Sequence, residues 1–208
     1  MILTVAEVTN ELFKPYGMIA SPDDEYTKVV DTCRSSGMSG SSKTAPVVKL
    51  PLLLNVDEPL KDSRWYFVRS YTKADLKRRF TSEKNTRKVK VSLNAIEKQP
   101  FSMQTFIPMG RGPEDIAYVV VVAIPDETGE PALNTLQAFA CKGTQAITYN
   151  PGIWHSPIIS VGDHEYLDFY VLECVTESGN PDEPGHVERV YVGNGHKIEL
   201  YCYPDDQQ

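Results

Sequence analysis

No stretch of this chain stays apolar for the ~20 residues that a membrane-crossing helix needs, and Met1-Ile2-Leu3-Thr4 carries no charged segment ahead of an apolar one. Neither a membrane span nor a secretion signal is expected. Cysteine is scarce: Cys33, Cys141, Cys174 and Cys202 are widely spread, without the paired spacing of zinc or redox motifs, so reduced thiols in a cytosolic protein are expected. Positive charge is short as well. A net charge of −7 argues against a dedicated nucleic-acid binder, whose surface must neutralise phosphates. One basic stretch departs from that average, with Lys73, Lys77, Arg78, Arg79, Lys84, Arg87, Lys88 and Lys90 set against Asp75 and Glu83. It reads as a solvated helix and loop; a weaker reading has it help attract an anionic small molecule. Glycine-rich phosphate loops and dinucleotide fingerprints are missing.

What remains is a chain of 208 residues, 41% hydrophobic, able to bury one large core, so a single domain is expected. Near the N-terminus, Val5, Val8, Leu12 and Phe13 recur at helical spacing behind Thr4, and Pro15-Tyr16-Gly17 closes that short helix ahead of an extended Met18-Ile19-Ala20. The small polar run from Ser35 to Thr44 reads as a flexible loop. From Trp65 onward, short runs rich in β-branched and aromatic residues predict strands: 65–69, 88–93, 103–108, 118–124, 136–141, 145–149 and 166–174. Glycine and proline turns separate them, and no βαβ alternation is present, which points to a sandwich or barrel. Near the C-terminus, Arg189 to Leu200 predicts a hairpin across Gly193-Asn194-Gly195, suited to covering a barrel edge or a partner subunit.

Few residues carry obvious chemistry. His164, His186 and His196 sit in polar turns, whereas His155 follows the tight Asn150-Pro151-Gly152 turn and shares a strand face with Ile153 and Pro157. A histidine so placed is a core residue or a proton carrier. Glu97 and Gln99 share strand parity, as do Gln104 and Phe106, so a carboxylate and amides can project together from neighbouring strands. Arg69 ends an aromatic run and offers forked donors that suit a carboxylate; the alternative is a surface ion pair. In the strand 166–174, Asp168 and Glu173 fall on opposite faces, and Asp168, flanked by Tyr166 and Tyr170, needs a partner or a wet cavity.

Several motifs run in order along the chain, from Phe13-x-Pro15-Tyr16-Gly17 through Glu97-x-x-Pro100-x-x-x-Gln104-x-Phe106-x-Pro108-Met109 and Tyr118-x-Val120-Val121-Val122-Ala123. Leu136-x-Ala138-Phe139, Gly143-x-Gln145-Ala146-x-x-Tyr149, Gly152-x-Trp154-His155-x-Pro157 and Asp168-Phe169 follow. Read together, they resemble the ureidoglycolate lyase family, particularly its fungal form. The resemblance implies a mainly β, cupin-like double-stranded β-helix (a jelly-roll barrel) with a few short helices. It also implies a homodimer that splits ureidoglycolate into glyoxylate and urea during allantoin breakdown.

That reaction needs a carboxylate anchor, a base for the hydroxyl proton and an acid for the departing nitrogen. The expected assignment gives the anchor to Arg69 and the proton to His155, with Asp168 or Glu97 fixing its tautomer, and gives the ureido end to Gln104 and Tyr149. The sequence departs from the family at Gln99, where members usually carry histidine, and at Ser156, where many carry a second one. Glutamine is a poor ligand for first-row transition metals, which argues against a divalent metal, and no other cofactor is expected. Two alternatives compete with the lyase: a metal-dependent cupin oxygenase or isomerase acting on a small oxidised acid, and a non-catalytic cupin that binds a metabolite.

Overall fold

The computed structural model describes residues 1–22, 60–81, 83, 87–176, 187–191 and 195–202. Cys33, the 35–44 loop, His186 and Gly193-Asn194 lie outside them. The strands are β1 (Ile2–Glu7), β2 (Gly17–Ala20), β3 (Leu60–Tyr71), β4 (Arg87–Ser92), β5 (Ala95–Lys98), β6 (Ser102–Met109) and β7 (Ile116–Ala123). They continue with β8 (Gln137–Lys142), β9 (Ala146–Tyr149), β10 (Trp154–His155), β11 (Ile159–Ser160), β12 (Tyr166–Thr176), β13 (Glu188–Tyr191) and β14 (Lys197–Cys202). Among the described residues nine strands join one sheet, in the order β13-β5-β10-β7-β8-β1-β14-β4 with β11 also on β7, and five join a second, β2-β9-β6-β12-β3. The sheets curl and pack face to face, the architecture expected of a mainly β, cupin-like fold.

Alternation along the strands sorts the core. Tyr118, Val120 and Val122 of β7 meet Leu167, Phe169 and Val171 of β12 in the layer between the sheets, where Tyr118 and Phe169 pack edge to face at 5.2 Å. Val119, Val121 and Ala123 point the other way, into a second core with Trp154, Leu76, Phe80, Ile198 and Leu200. Leu76 and Phe80 thus anchor part of the basic stretch that the sequence presents as solvated; Leu76 belongs to a single 3-10 turn, Ala74–Leu76.

Both chain ends depart from expectation. The N-terminal helix is only Asn10–Phe13, capped by the Thr9 hydroxyl, which accepts from the Leu12 N–H. Val5 is in a strand: Ile2–Thr4 pair in parallel with β14, and Val5–Glu7 with β8. Among the described residues the predicted C-terminal hairpin pairing is not seen: β13 pairs with β5 while β14 pairs with β1 and β4, at the far end of the same sheet.

Candidate active site

A turn delivers His155. Gly152 has φ +76, where a side chain would be strained, and its N–H donates to the Gln99 carbonyl at 2.9 Å. That bond docks the turn on the end of β5, and β10 leaves it with His155 directly opposite Glu97 on one side and Val122 on the other. Side chains opposite one another in an antiparallel pair leave the same face, with Cβ atoms about 4.5–5.5 Å apart. The alternate residues are pinned behind. The Gly129 carbonyl accepts from Lys98 Nζ at 2.7 Å and from Trp154 Nε1 at 3.0 Å, while Lys98 lies over the Trp154 ring.

The His155 side chain is buried and, leaving the same face as Glu97 and Val122, points between the sheets. Its Nδ1 lies 3.0 Å from the Ile153 carbonyl, which only accepts, so Nδ1 carries the proton and the neutral ring presents a bare Nε2. Burial lowers its pKa from the ordinary imidazole value; the Ile153 carbonyl and the Glu97 charge oppose that shift more weakly. The Tyr149 ring, from the opposite sheet, stacks on the imidazole with centroids 4.0 Å apart and planes tilted by 10°. The Tyr149 hydroxyl is buried without a hydrogen-bond partner, and burial holds its pKa well above the ordinary phenol value, so it stays a donor. Close backbone approach sets that ring: a Cβ on Gly17 of β2 would fall 1.8 Å from the Thr148 carbonyl oxygen, so glycine alone lets β2 lie against β9 there.

From Tyr149 a polar row crosses the five-stranded sheet, one side chain per strand. Gln104 pairs with Tyr149, Glu173 with Gln104, and Arg64 with Glu173. Glu173, 1% exposed, accepts from Arg64 Nε at 2.8 Å, Ser102 Oγ at 2.8 Å and Gln104 Nε2 at 3.4 Å. Gln104 Nε2 also donates to the Tyr66 hydroxyl at 3.0 Å. Burial first, and then the Glu173 charge, push the Tyr66 phenol up to about 12; Glu97 also raises it, so the carboxylate beside His155 reaches this row as well. The next row inward, Tyr66, Val171, Phe106 and Ile147, is apolar apart from that phenol tip.

The structure therefore brings together His155, Glu97, Gln104 and Tyr149, and does not bring Arg69 and Asp168 to them. Those two project from the outer face of the same sheet, where Arg69 Nε and Nη2 donate to the two Asp168 oxygens at 2.7 and 2.8 Å and the guanidinium stacks on Tyr166. Asp168 cannot orient His155, whose Nδ1 already faces the Ile153 carbonyl. Sequence reasoning missed Arg64, Tyr66, Ser102 and Glu173. Strand parity held the signal, since Arg64 and Tyr66 stand an odd number of residues from Arg69, as Glu173 does from Asp168.

The donor set does not suit a transition metal. Among the described residues no three His, Cys, Asp or Glu side chains converge closely enough to hold one, and Gln99 stands where the resemblance places a histidine. Ser156, at the other such position, turns its hydroxyl to the Val121 N–H at 3.1 Å.

The model of the ureidoglycolate lyase family matches residues 1–199. The ureidoglycolate lyase of Saccharomyces cerevisiae is 40% identical over 188 residues, covering 88% of this chain and 91% of that protein. This chain belongs to the ureidoglycolate lyase family. The ureidoglycolate lyase of Schizosaccharomyces pombe is 27% identical over 80% of this chain and 82% of that protein, and the one from Escherichia coli strain SMS-3-5 is 37% identical over 34% and 40%. The matched span of this family member includes both the His155 turn and the Arg64-to-Tyr149 row.

Proposed function

We propose that the chain acts as a single catalytic domain that cleaves ureidoglycolate into glyoxylate and urea, with the chemistry at His155. The observation that carries this reading is the imidazole itself: Nδ1 is committed to a carbonyl, which leaves Nε2 for a substrate, and the ring lies opposite Glu97 and stacks on a Tyr149 phenol that stays protonated. Ureidoglycolate holds a hydroxyl and a ureido nitrogen on one carbon. His155 Nε2 takes the hydroxyl proton, the oxygen's electron pair forms the C=O of glyoxylate, and the C–N bond breaks with its pair moving to nitrogen. A proton returned by the imidazolium completes urea, so one proton moves from oxygen to nitrogen and nothing else is consumed. Glu97 stabilises the transient imidazolium, while Gln104 and the Tyr149 hydroxyl hold the ureido carbonyl and amide. Incubation with racemic ureidoglycolate should release glyoxylate and urea in a one-to-one ratio. Ammonia in place of urea would overturn the reading in favour of an amidohydrolase.

The same reading places the enzyme in the cytosol as a homodimer active in allantoin breakdown. Cys141, Cys174 and Cys202 are buried free thiols, as suits a reducing compartment, and burial pushes Cys141 up to about 12, which keeps it inert. The outer face of the five-stranded sheet suits a second copy. Trp65, Phe67, Tyr71, Tyr166 and Tyr170 are each 40% exposed or more. They form contacting rings on both sides of the Arg69–Asp168 pair. The rings alone offer roughly 500 Å² toward the ~800 Å² per partner of a standard interface. A pair of opposite charges at the centre is self-complementary about a two-fold axis.

A further inference from the structure

Arg64 and Arg69 reach carboxylates on the same neighbouring strand, yet they spend their donors differently. Arg69 engages both oxygens of Asp168 through Nε and Nη2, as a closed two-point pair. Arg64 reaches Glu173 through Nε alone, because the other Glu173 oxygen is taken by Ser102 and Gln104. Its two terminal nitrogens make no hydrogen bond among the described residues. Burial is uneven too: the Glu173 side chain is 1% exposed and that of Arg64 40%. The carboxylate is wholly committed to the protein, while the guanidinium keeps a wet, planar, two-pronged edge. Such an edge matches a second carboxylate in bidentate geometry.

We infer that Arg64 is the receptor for the carboxylate of the substrate, and that Glu173, held by Ser102 and Gln104, is the positioning residue that aims it. The inference deepens the lyase reading and rests on it. Strands about 4.8 Å apart put the Arg64 and Tyr149 backbones about 14 Å from one another. The Arg64 side chain and the ligand between them span that gap. The Tyr66 hydroxyl and the Gln104 amide line the way toward Glu97 and His155. Ureidoglycolate then lies with its carboxylate at Arg64 and its carbinol carbon before the imidazole. The site selects carbinolamines that bear an α-carboxylate. Of the two products, glyoxylate keeps its hold on Arg64 and urea has none, so urea leaves first.

The test compares Arg64→Gln, Arg64→Lys and Arg69→Gln with wild type, reading kcat and KM for ureidoglycolate, inhibition by glyoxylate and melting temperature. Arg64→Gln should lose roughly 100-fold in kcat/KM, mainly through KM, with glyoxylate inhibition weakened alike. Arg64→Lys keeps a cation for Glu173 but not the fork, and should show the same KM defect at an unchanged melting temperature. Arg69→Gln should match wild type in both kinetic readouts. Wild-type KM and wild-type glyoxylate inhibition in either Arg64 variant would overturn the inference. Failure of the wild type to split ureidoglycolate would instead sink the lyase reading, and calorimetric binding of glyoxylate to wild type and Arg64→Gln would still decide the receptor.

Discussion

Two arginine–carboxylate pairs join the same two strands, five residues apart, and leave opposite faces of one sheet. The Arg69–Asp168 pair is bidentate and ringed by exposed aromatics. Arg64–Glu173 is single-pointed, with its carboxylate buried among polar donors and its guanidinium turned to open space. Both have good geometry, so distance does not separate a structural pair from a functional one. The distinguishing feature is which partner has donors left over, and which side of the sheet faces the imidazole.

The largest effect that sharpens this contrast belongs to the inner face. His155→Asn should lower kcat by roughly 100- to 10,000-fold while the melting temperature holds, since a placed acid–base group contributes about that much. Next is the pH profile. Burial lowers the His155 pKa, so the neutral, proton-accepting ring persists below the ordinary 6.5; the acid limb of kcat/KM should fall beneath that value. The same sign applies to the fold. The unfolded chain takes up a proton near 6.5 that the folded one resists, so stability declines as the pH drops below 6.5 toward the folded value. An acid limb above 6.5 would break the assignment.

Smaller effects compare the two carboxylates. Glu173→Ala strands the buried Ser102 and Gln104 donors and should cost about 2 kcal/mol by chemical denaturation, with KM raised as Arg64 loses its hold. Asp168→Ala should leave both activity and denaturation midpoint near wild type, because exposed pairs contribute little. On the outer face, Trp65→Glu together with Phe67→Glu should shift the protein toward monomer in analytical ultracentrifugation while activity per chain persists. A dimer that survives both changes would remove that face as the contact.

Much of the architecture was legible because alternation and turn chemistry are local. Seven predicted strands match β3, β4, β6, β7, β8, β9 and β12, and the Asn150-Pro151-Gly152 turn marked His155. The chain ends misled because their partners are remote. Val5 and Val8 fit helical spacing, but Val5 pairs with Ala138, and the turn signal near Gly195 could not reveal that β13 and β14 go to opposite ends of the sheet. Arg69 attracted attention as the arginine of an aromatic run. Arg64 lay just outside that run, and only the exchange of partners at Glu173 distinguishes them.

The most direct measurement is a crystal structure with glyoxylate bound. The carboxylate should lie within about 3 Å of the Arg64 terminal nitrogens, with the aldehyde carbon facing His155 Nε2. Glyoxylate seated on Arg69 or elsewhere, with the imidazole enclosed by protein alone, would contradict the placement of the chemistry on the inner face.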